Sequence, residues 1–330
     1  KIQLIRRHHR EGRSAGKHGF DLPPAGHSAA DLGPTLGADI VGQADAIAKV
    51  TSRLALTRAQ LDLNPSRPDG VFLFVGPTGV GKTALAQSIA AALYGDRDRL
   101  IRLDMSEYAH DWALSRLIGP QPGYVGFTEP EAWLTTRVID MPHAVVLLDE
   151  IEKAHPAIWN AFLQVFDAGR LTDSRGQTAS FADTVVVMTS NLGVDRYGTR
   201  QLGFGAGAAD AAVGMKVESA VREAMPPELI NRIDEVVVFA PLDRAAIRSI
   251  AEREVGGALT RLAERGYSLS IEAAVIDLLA ETGYSPEYGA RHLHRNVERI
   301  FMQPLVAMPP GTYAGTAAGD SITWTPVPAA

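Results

Sequence analysis

The sequence predicts an α/β protein with a five-stranded parallel sheet flanked by helices, followed by a smaller, mostly helical C-terminal domain. Three observations support this. From Ile40 onward, short apolar runs alternate with longer helical stretches, as in parallel sheets covered by helices. One of these runs leads through a glycine-rich loop into an Ala-rich helix. After Pro241 the apolar runs give way to helical spacing.

The strands are predicted from runs of Val, Ile and Leu that lack polar alternation, which is the pattern of strands buried on both faces. Five runs qualify: Val71–Val75, Leu100–Leu103, Val145–Leu148, Thr184–Thr189 and Glu235–Phe239.

The helices are predicted from composition and from their start signals. Thr83–Leu93 is rich in Ala and Leu, and Pro156 stands before Ala157–Asp167, where a missing N–H costs nothing. In the C-terminal domain, Asp243 is expected to cap a helix. That helix runs to about Arg265, and a strand near Tyr267–Ile271, helices over Ala273–Ala280 and Arg291–Val306, and a strand at Ser321–Trp324 follow.

The chain is predicted to divide into three parts. Residues 1–35 form a flexible basic tail, residues 36–241 a large α/β domain, and residues 242–330 a small C-terminal domain. The basic cluster between Arg6 and Lys17 lies in a stretch containing Gly, Ser and Pro. We therefore interpret it as a solvated arm.

Composition excludes several classes of function. Cysteine is absent, so disulfides, thiolate metal sites and cysteine nucleophiles are ruled out. No apolar run approaches the roughly 20 residues that span a bilayer, and no signal peptide is visible, so we expect a soluble, cytoplasmic protein without membrane partners. A net charge of −6 argues against a dedicated nucleic-acid binder.

The loop from Gly76 to Thr83 has the pattern of a phosphate-binding loop. Its glycines let successive backbone N–H groups surround phosphate oxygens, and the helix that follows points its positive end at them. Lys82 is expected to reach the β- and γ-phosphates and the Thr83 hydroxyl to bind Mg²⁺, so ATP and Mg²⁺ are the predicted cofactors. The residues predicted to contact nucleotide here are Pro77, Thr78, Gly79, Val80, Gly81, Lys82 and Thr83.

Polar residues follow two of the buried strands. Asp149 and Glu150 end the third strand, and paired carboxylates there are costly unless they meet a cation or a cleft. Asp149 is predicted to share the Mg²⁺ with Thr83, and Glu150 to polarise the attacking water. Asn191 follows the fourth strand, where it either orients that water or caps the turn.

Four longer segments resemble the Clp unfoldases, and most closely the second ATPase module of the ClpB/ClpC group. The segments are Ile101–Tyr108, Leu148–Pro156, Thr189–Gly193 and Ile230–Glu235. The resemblance covers about Ile40 to Met308. It implies an AAA+ P-loop NTPase fold and a hexameric ring with ATP bound between subunits.

The resemblance also assigns roles residue by residue. It identifies Arg232 as the arginine finger that reaches a neighbour's nucleotide and Arg291 as the sensor of the same subunit's phosphates. Without it, either arginine would be taken for a surface charge. Ile40 and Val41 match the position that contacts adenine. The catalytic set is then Glu150, Asn191, Arg232 and Arg291.

Two further motifs concern macromolecular partners. Tyr124 and Val125 match the family's substrate-gripping pore loop; taken alone they would fit a tight turn with an exposed Tyr. Where the family usually has two glycines after that loop, this chain has Glu129-Pro130-Glu131-Ala132. Leu202, Gly203 and Phe204 lie where peptidase-docking members carry a hydrophobic tripeptide, and the alternative is an ordinary turn with a buried Phe.

Together these features predict an ATP-hydrolysing protein unfoldase or remodeller that threads polypeptide through the pore of a ring of its own subunits. Two alternatives remain. One is an AAA+ module acting on nucleic acid, against which the acidic net charge and uncharged pore tip argue. The other is an assembly scaffold with little turnover, against which Glu150 and Arg232 argue.

Overall fold

The computed structural model describes residues 31–120, 131, 133–193, 208–285 and 289–327, with only the backbone described for 208–213. The chain divides into two compact units. The first comprises Lys1–Gly76 and Gly81–Phe239, and the second comprises Pro77–Val80 and Ala240–Ala330.

The first unit is built on a five-stranded parallel sheet, which confirms the predicted fold class. Its strands are β1 (Gly70–Val75), β2 (Leu100–Asp104), β3 (Val145–Asp149), β6 (Val185–Ser190) and β7 (Glu235–Val238). Their spatial order is β2-β3-β6-β1-β7, and every neighbouring pair is parallel. Because all five chain segments run the same way, the residues that follow β1, β3 and β6 lie at one edge of the sheet.

Helices cover this sheet. They are α1 (Leu32–Asp39), α2 (Ala44–Arg58), α3 (Lys82–Tyr94), α4 (Ala113–Ile118), α5 (Leu134–Asp140), α6 (Pro156–Ala168), α7 (Ala208–Ala224) and α8 (Pro227–Ile230), with 3-10 turns at Met105–Tyr108 and Ile151–Lys153. The hydrophobic core lies between sheet and helices. Side chains of β1, β3 and β6 are buried on both faces there, as the unbroken apolar runs predict.

Helix α6 shows how the sequence sets an element's limits. Before it, the His155 Nδ1 atom accepts a hydrogen bond from Ala157 N at 3.3 Å, and Pro156 occupies the first turn. At its end Gly169 adopts the left-handed conformation (φ 58°). Ile158 and Phe162 bury the face of this helix in the core.

Two features of the first unit differ from the expectations. Helix α1 begins at Leu32, inside the predicted tail, because Leu32 and Leu36 bury their side chains. A short antiparallel hairpin, β4 (Arg170–Thr172) and β5 (Thr178–Ser180), was not predicted. Strands of three residues are too short to show an alternating pattern.

The second unit has its own small sheet. It contains α9 (Arg244–Ala263), β8 (Ser268–Ile271), α10 (Ala273–Gly283), α11 (Leu293–Asn296), β9 (Thr312–Ala318) and β10 (Ser321–Pro326). The strand order is β10-β9-β8, with β9 parallel to β8 and antiparallel to β10. The side chain of Asp243 caps α9 by accepting a hydrogen bond from Ala246 N at 2.7 Å.

The predicted continuous helix over Arg291–Val306 is wrong in detail. The chain there forms a 3-10 turn (Ala290–His292), α11, a π-helix (Val297–Met302) and a second 3-10 turn (Gln303–Ala307). Pro304 lacks the N–H that an α-helix would need at that point. Strand β9 was not predicted, because its Gly and Ala residues give a weak strand signal. Among the described residues, no helix is long and apolar enough to cross a membrane.

Candidate active site

The loop after β1 has the backbone shape of a phosphate-binding loop. Gly76 and Gly81 have φ values of 155° and 108°. A Cβ atom at Gly76 would lie 2.7 Å from the Phe239 carbonyl oxygen, so only glycine fits there. Gly81 immediately precedes α3, whose N-terminal N–H groups and dipole favour an anion.

Lys82 joins this helix to the neighbouring strand. Its side chain is buried, and its Nζ atom donates hydrogen bonds to the Gly76 carbonyl and, at 2.8 Å, to the Asn191 Oδ1 atom. Asn191 is the residue after β6, which pairs with β1. The sheet thus brings Lys82 and Asn191 together, although 109 residues separate them.

The two carboxylates at the end of β3 are Asp149, its last residue, and Glu150, the residue after it, and both are held by β6. The Thr189 hydroxyl donates to Asp149 Oδ1 and accepts from the Glu150 N–H at 3.0 Å. The other oxygen of Asp149 accepts from Arg102 at 2.5 Å. Glu150 has φ 58° and ψ 54°, a left-handed conformation that costs a non-glycine residue about 1–2 kcal/mol. Strained backbone of this kind is common at functional sites.

Glu152 supports the same region from the following 3-10 turn. Its Oε1 atom accepts a hydrogen bond from Asn191 N at 3.1 Å. Its Oε2 atom is buried and has no hydrogen-bond partner among the residues described. Glu152 therefore ties the residue after β6 to the segment after β3.

The groups fit Mg·ATP. Thr83 stands in the first turn of α3 and supplies a hydroxyl, and Asp149 supplies a carboxylate; oxygen ligands of this kind suit Mg²⁺. The described residues contain no cluster of three or more His, Cys, Asp or Glu that could hold a metal ion. The Thr83 hydroxyl and the Asp149 carboxylate are enough for Mg²⁺, which is usually bound through one or two carboxylates plus phosphates rather than by an all-protein cage.

The residues matched to adenine lie before α2. Ile40 is buried, and a Cβ atom at Gly81 would lie 3.9 Å from the Ile40 Cγ2 atom. Ile40 therefore adjoins the end of the phosphate-binding loop. Val41 follows it and is half-buried.

Arg232 lies between α8 and β7. Its Nε atom donates to Asp167 Oδ2 at 2.6 Å, and its Nη1 atom to the Glu228 carbonyl at 2.5 Å. The side chain is 30% exposed, so its guanidinium has access to solvent.

The second unit includes residues 77–80 and the segment that carries Arg291. Ala290 N donates to the Gly79 carbonyl at 3.2 Å. A Cβ atom at Gly289 would lie 2.6 Å from the Thr78 carbonyl oxygen. Within this unit, the backbone just before Arg291 therefore lies against residues predicted to bind phosphate.

Some predicted residues lie outside the described residues. They are Tyr124 and Val125 of the predicted pore loop, Glu129, Pro130 and Ala132 after it, and Leu202, Gly203 and Phe204.

Two family models match this chain. The AAA domain (Cdc48 subfamily) matches residues 67–236, and the C-terminal, D2-small domain of ClpB protein matches residues 242–311. The chain belongs to the AAA domain family. The second match confirms the resemblance to the second ATPase module of ClpB.

Individual relatives agree. The chain is 46% identical over 273 residues to the chaperone protein ClpB of Pseudomonas putida, covering 82% of this chain and 31% of that protein. It is 44% identical over 270 residues to ClpB of Rhodopirellula baltica, covering 81% and 30%. The chain thus spans less than a third of the length of these curated relatives.

A solved structure described as the closed state of Hsp104 with ATPyS and FITC casein is also similar. The TM-score is 0.79 at 32% identity, covering 90% of this chain and 52% of that one. This AAA family member therefore shares its fold with about half of that Hsp104 chain.

Several residues that support the site were not predicted. Thr189, Glu152 and Arg102 hold Asp149, Glu150 and Asn191 by side-chain contacts. They stood inside the motifs but had no assigned role. Arg102 lies on β2 and Thr189 on β6, the two neighbours of β3, so only the strand order reveals their contacts with Asp149.

Proposed function

We propose that the chain is an ATP-hydrolysing motor module that remodels proteins by pulling polypeptide through a ring of its own subunits. One observation carries the proposal. Lys82, at the start of α3, contacts Asn191 after β6, while Thr189 on the same strand holds both Asp149 and Glu150. A phosphate-binding lysine, an acidic pair and a polar amide therefore lie at one edge of one sheet, which suits ATP hydrolysis.

Each residue has a distinct role in the proposal. The loop glycines and Lys82 bind the phosphates, Glu150 accepts a proton from the attacking water, and Asn191 orients that water. Mg²⁺, bound through Thr83 and Asp149, would neutralise charge on the β- and γ-phosphates. Asp149 accepts hydrogen bonds from Arg102 and Thr189, which orient its carboxylate.

Hydrolysis is proposed to need assembly. Arg232 would reach the nucleotide of a neighbouring subunit and stabilise the charge of the transition state. Its partly exposed guanidinium supports this. Arg291 would sense the phosphates within its own subunit, supported by the contact of Ala290 with Gly79. The similarity to Hsp104 and ClpB supports a hexameric ring.

Polypeptide is the proposed substrate, gripped by Tyr124 and Val125. The similar relatives are named as chaperones, and the Hsp104 structure is described with casein. The net charge of −6 disfavours nucleic acid. We also propose a cytoplasmic location, with which the absence of cysteine is compatible. Peptidase docking through Leu202, Gly203 and Phe204 is not supported by these relatives.

The test is steady-state ATP turnover across protein concentration, with and without casein. Turnover per subunit should rise with concentration, change with casein, and fall in Arg232→Ala. Turnover that is independent of concentration and of Arg232 would contradict catalysis across subunits. Turnover that is negligible throughout would favour the scaffold alternative.

A further inference from the structure

Arg67 holds together three segments of the first unit. It lies in the loop between α2 and β1, and its guanidinium donates three hydrogen bonds. The acceptors are the Phe166 carbonyl at 2.6 Å, Asp234 Oδ1 at 3.3 Å and the Arg232 carbonyl at 2.8 Å. A planar guanidinium can serve three acceptors at fixed angles, which a lysine ammonium on a flexible stem does less well.

Residues 64–68, the Arg67 loop, are restricted by two prolines and by local hydrogen bonds. Pro65 and Pro68 stand on either side of Ser66 and Arg67, and each proline restricts its own φ and the residue before it. Ser66 N bonds the Asn64 side chain at 3.3 Å, and Arg67 N bonds the Asn64 carbonyl at 3.2 Å. Arg67 therefore projects from a loop with few alternative conformations.

The end of α6 is shaped to receive this loop. A Cβ atom at Gly169 would lie 1.7 Å from the Ser66 carbonyl oxygen and 3.4 Å from the Arg67 Cα atom. The Phe166 carbonyl belongs to the last turn of α6, where the helix dipole favours a cation. The close approach at Gly169 and the negative end of the α6 dipole therefore both favour this position of Arg67.

Asp234 connects the same cluster to strand β1. Its Oδ2 atom accepts from Val71 N at 2.8 Å, its own N–H donates to the Val71 carbonyl at 2.8 Å, and its side chain is 12% exposed. A carboxylate this buried needs positive partners. Arg67 and Arg53 supply them, the latter at 3.5 Å.

From these contacts we propose that Arg67 is a positioning residue for Arg232. It fixes the Arg232 backbone against α6 and β1, so that the Arg232 guanidinium projects toward the neighbouring subunit from a defined position. Since β1 leads into the phosphate-binding loop, the same contacts link the nucleotide site of a subunit to Arg232, which that subunit contributes to the nucleotide site of its neighbour. This inference rests on the proposed role of Arg232 across the subunit interface.

The first measurement compares kcat and KM for ATP in Arg67→Ala, Arg67→Lys and Arg53→Ala. Misplacing a catalytic group by about 1 Å can cost about 100-fold in rate, so kcat should fall 10-fold or more in Arg67→Ala. KM should stay unchanged, because the phosphate-binding loop is intact. The loss of kcat should be smaller in Arg67→Lys than in Arg67→Ala. Arg53→Ala removes a guanidinium from the same carboxylate without touching Arg232, and should keep near-normal kcat.

The decisive measurement mixes variants. Arg67→Ala subunits keep a complete Glu150 site and lack a well-placed arginine, whereas Glu150→Gln subunits have the reverse defect. In randomly mixed rings made from equal amounts, about a quarter of the interfaces join a good site to a good arginine, since each interface is heterologous. The mixture should then turn over ATP at about a quarter of the wild-type rate per subunit, several times more than either variant alone.

The same mixture with Arg232→Ala separates the two possible failures. If Arg232→Ala is not rescued by Glu150→Gln, the role of Arg232 across subunits is wrong and the inference about Arg67 falls with it. If Arg232→Ala is rescued while neither Arg67→Ala nor Arg67→Lys is, Arg67 only stabilises the fold and the inference is overturned. Wild-type kcat in Arg67→Ala would overturn it as well.

Discussion

The acidic residues at the end of β3 and the arginine before β7 are supported in different ways. Asp149 is the last residue of a central strand and Glu150 follows it, and a hydroxyl from the adjacent strand holds both. Arg232 follows a four-residue helix and lies outside the sheet. Its N–H donates to the Leu229 carbonyl, and its other contacts include the side chains of Arg67 and Asp167. Strand pairing therefore positions the carboxylates, whereas a short helical turn and a few charged contacts position the arginine.

This difference has a mechanical consequence. Backbone pairing along several strands resists local displacement, because many hydrogen bonds must shift together. A segment held by a few side chains moves when one of them changes. We expect variants near β3 to change the catalytic groups while their positions stay fixed. Variants near Arg232 are expected to change the position of the Arg232 guanidinium itself.

The largest effect is expected from Glu150→Gln. The amide keeps the shape of the side chain and cannot accept the proton, so turnover should fall roughly 100- to 10,000-fold. ATP binding should persist, since Lys82 and the loop are unchanged. Steady-state turnover and equilibrium binding of a fluorescent ATP analogue measure the two. Glu107→Gln, which removes an exposed partner of Arg116, is the control, and equal losses in both variants would refute the role of Glu150.

The support of Arg232 can be tested through stability with Gly169→Ala. The new methyl group would meet the Ser66 carbonyl, which costs about 1–3 kcal/mol beyond the roughly 1–2 kcal/mol of left-handed backbone. Gly176→Ala is a matched control, because Gly176 has φ 82° with nothing within 4 Å of the added atom. Denaturant unfolding should show a clearly larger loss for Gly169→Ala. Equal losses would mean that the Arg67 loop does not depend on this close approach.

A smaller effect is expected from Thr189→Val, which is nearly isosteric. The Glu150 N–H loses its acceptor and Asp149 loses a donor, so the free energy of unfolding should fall by about 1–3 kcal/mol. Turnover should fall with it, because both carboxylates lose their common support. Thr178→Val is a control at an exposed position, where the Thr178 hydroxyl contacts the Thr172 hydroxyl. A stable Thr189→Val variant with normal turnover would show that the strands alone orient the carboxylates.

The smallest effect concerns Asp104, the β2 residue paired with Asp149. The hydrogen bond from the Ser106 hydroxyl, together with the Ser106 N–H and Arg102, lowers the pKa of Asp104 from its usual range. A lowered pKa stabilises the fold above about pH 4, and this contribution is lost as the pH falls through the folded-state pKa. Ser106→Ala should raise the pKa, as measured by NMR titration of the carboxyl carbon. An unchanged value would exclude the hydroxyl as the main cause.

The sequence predicts the strands well because they are buried on both faces and read as unbroken apolar runs. It also places Lys82, Asp149 and Glu150, since each follows a recognisable strand or loop. It does not reveal the β4–β5 hairpin, which is too short for a periodic pattern. Nor does helical spacing reveal the breaks after Arg291, although Pro304 is a visible signal for the last of them.

The supporting contacts are harder to predict than the residues they support. Thr189 reaches Asp149 only because β6 pairs with β3 in one register. Arg67 and Arg232 are separated by 165 residues, and no periodicity relates them. Arg232 itself was identified by family resemblance alone, and the loop residue that holds its backbone carries no motif.

The left-handed backbone of Glu150 sets fold and chemistry against each other at a single residue. Glycine would adopt that conformation without strain, so the fold alone would favour glycine there. A protein that retains glutamate gives up stability for a carboxylate at the end of β3. Selection for thermal stability alone, with no demand for ATP turnover, would be expected to remove this side chain early.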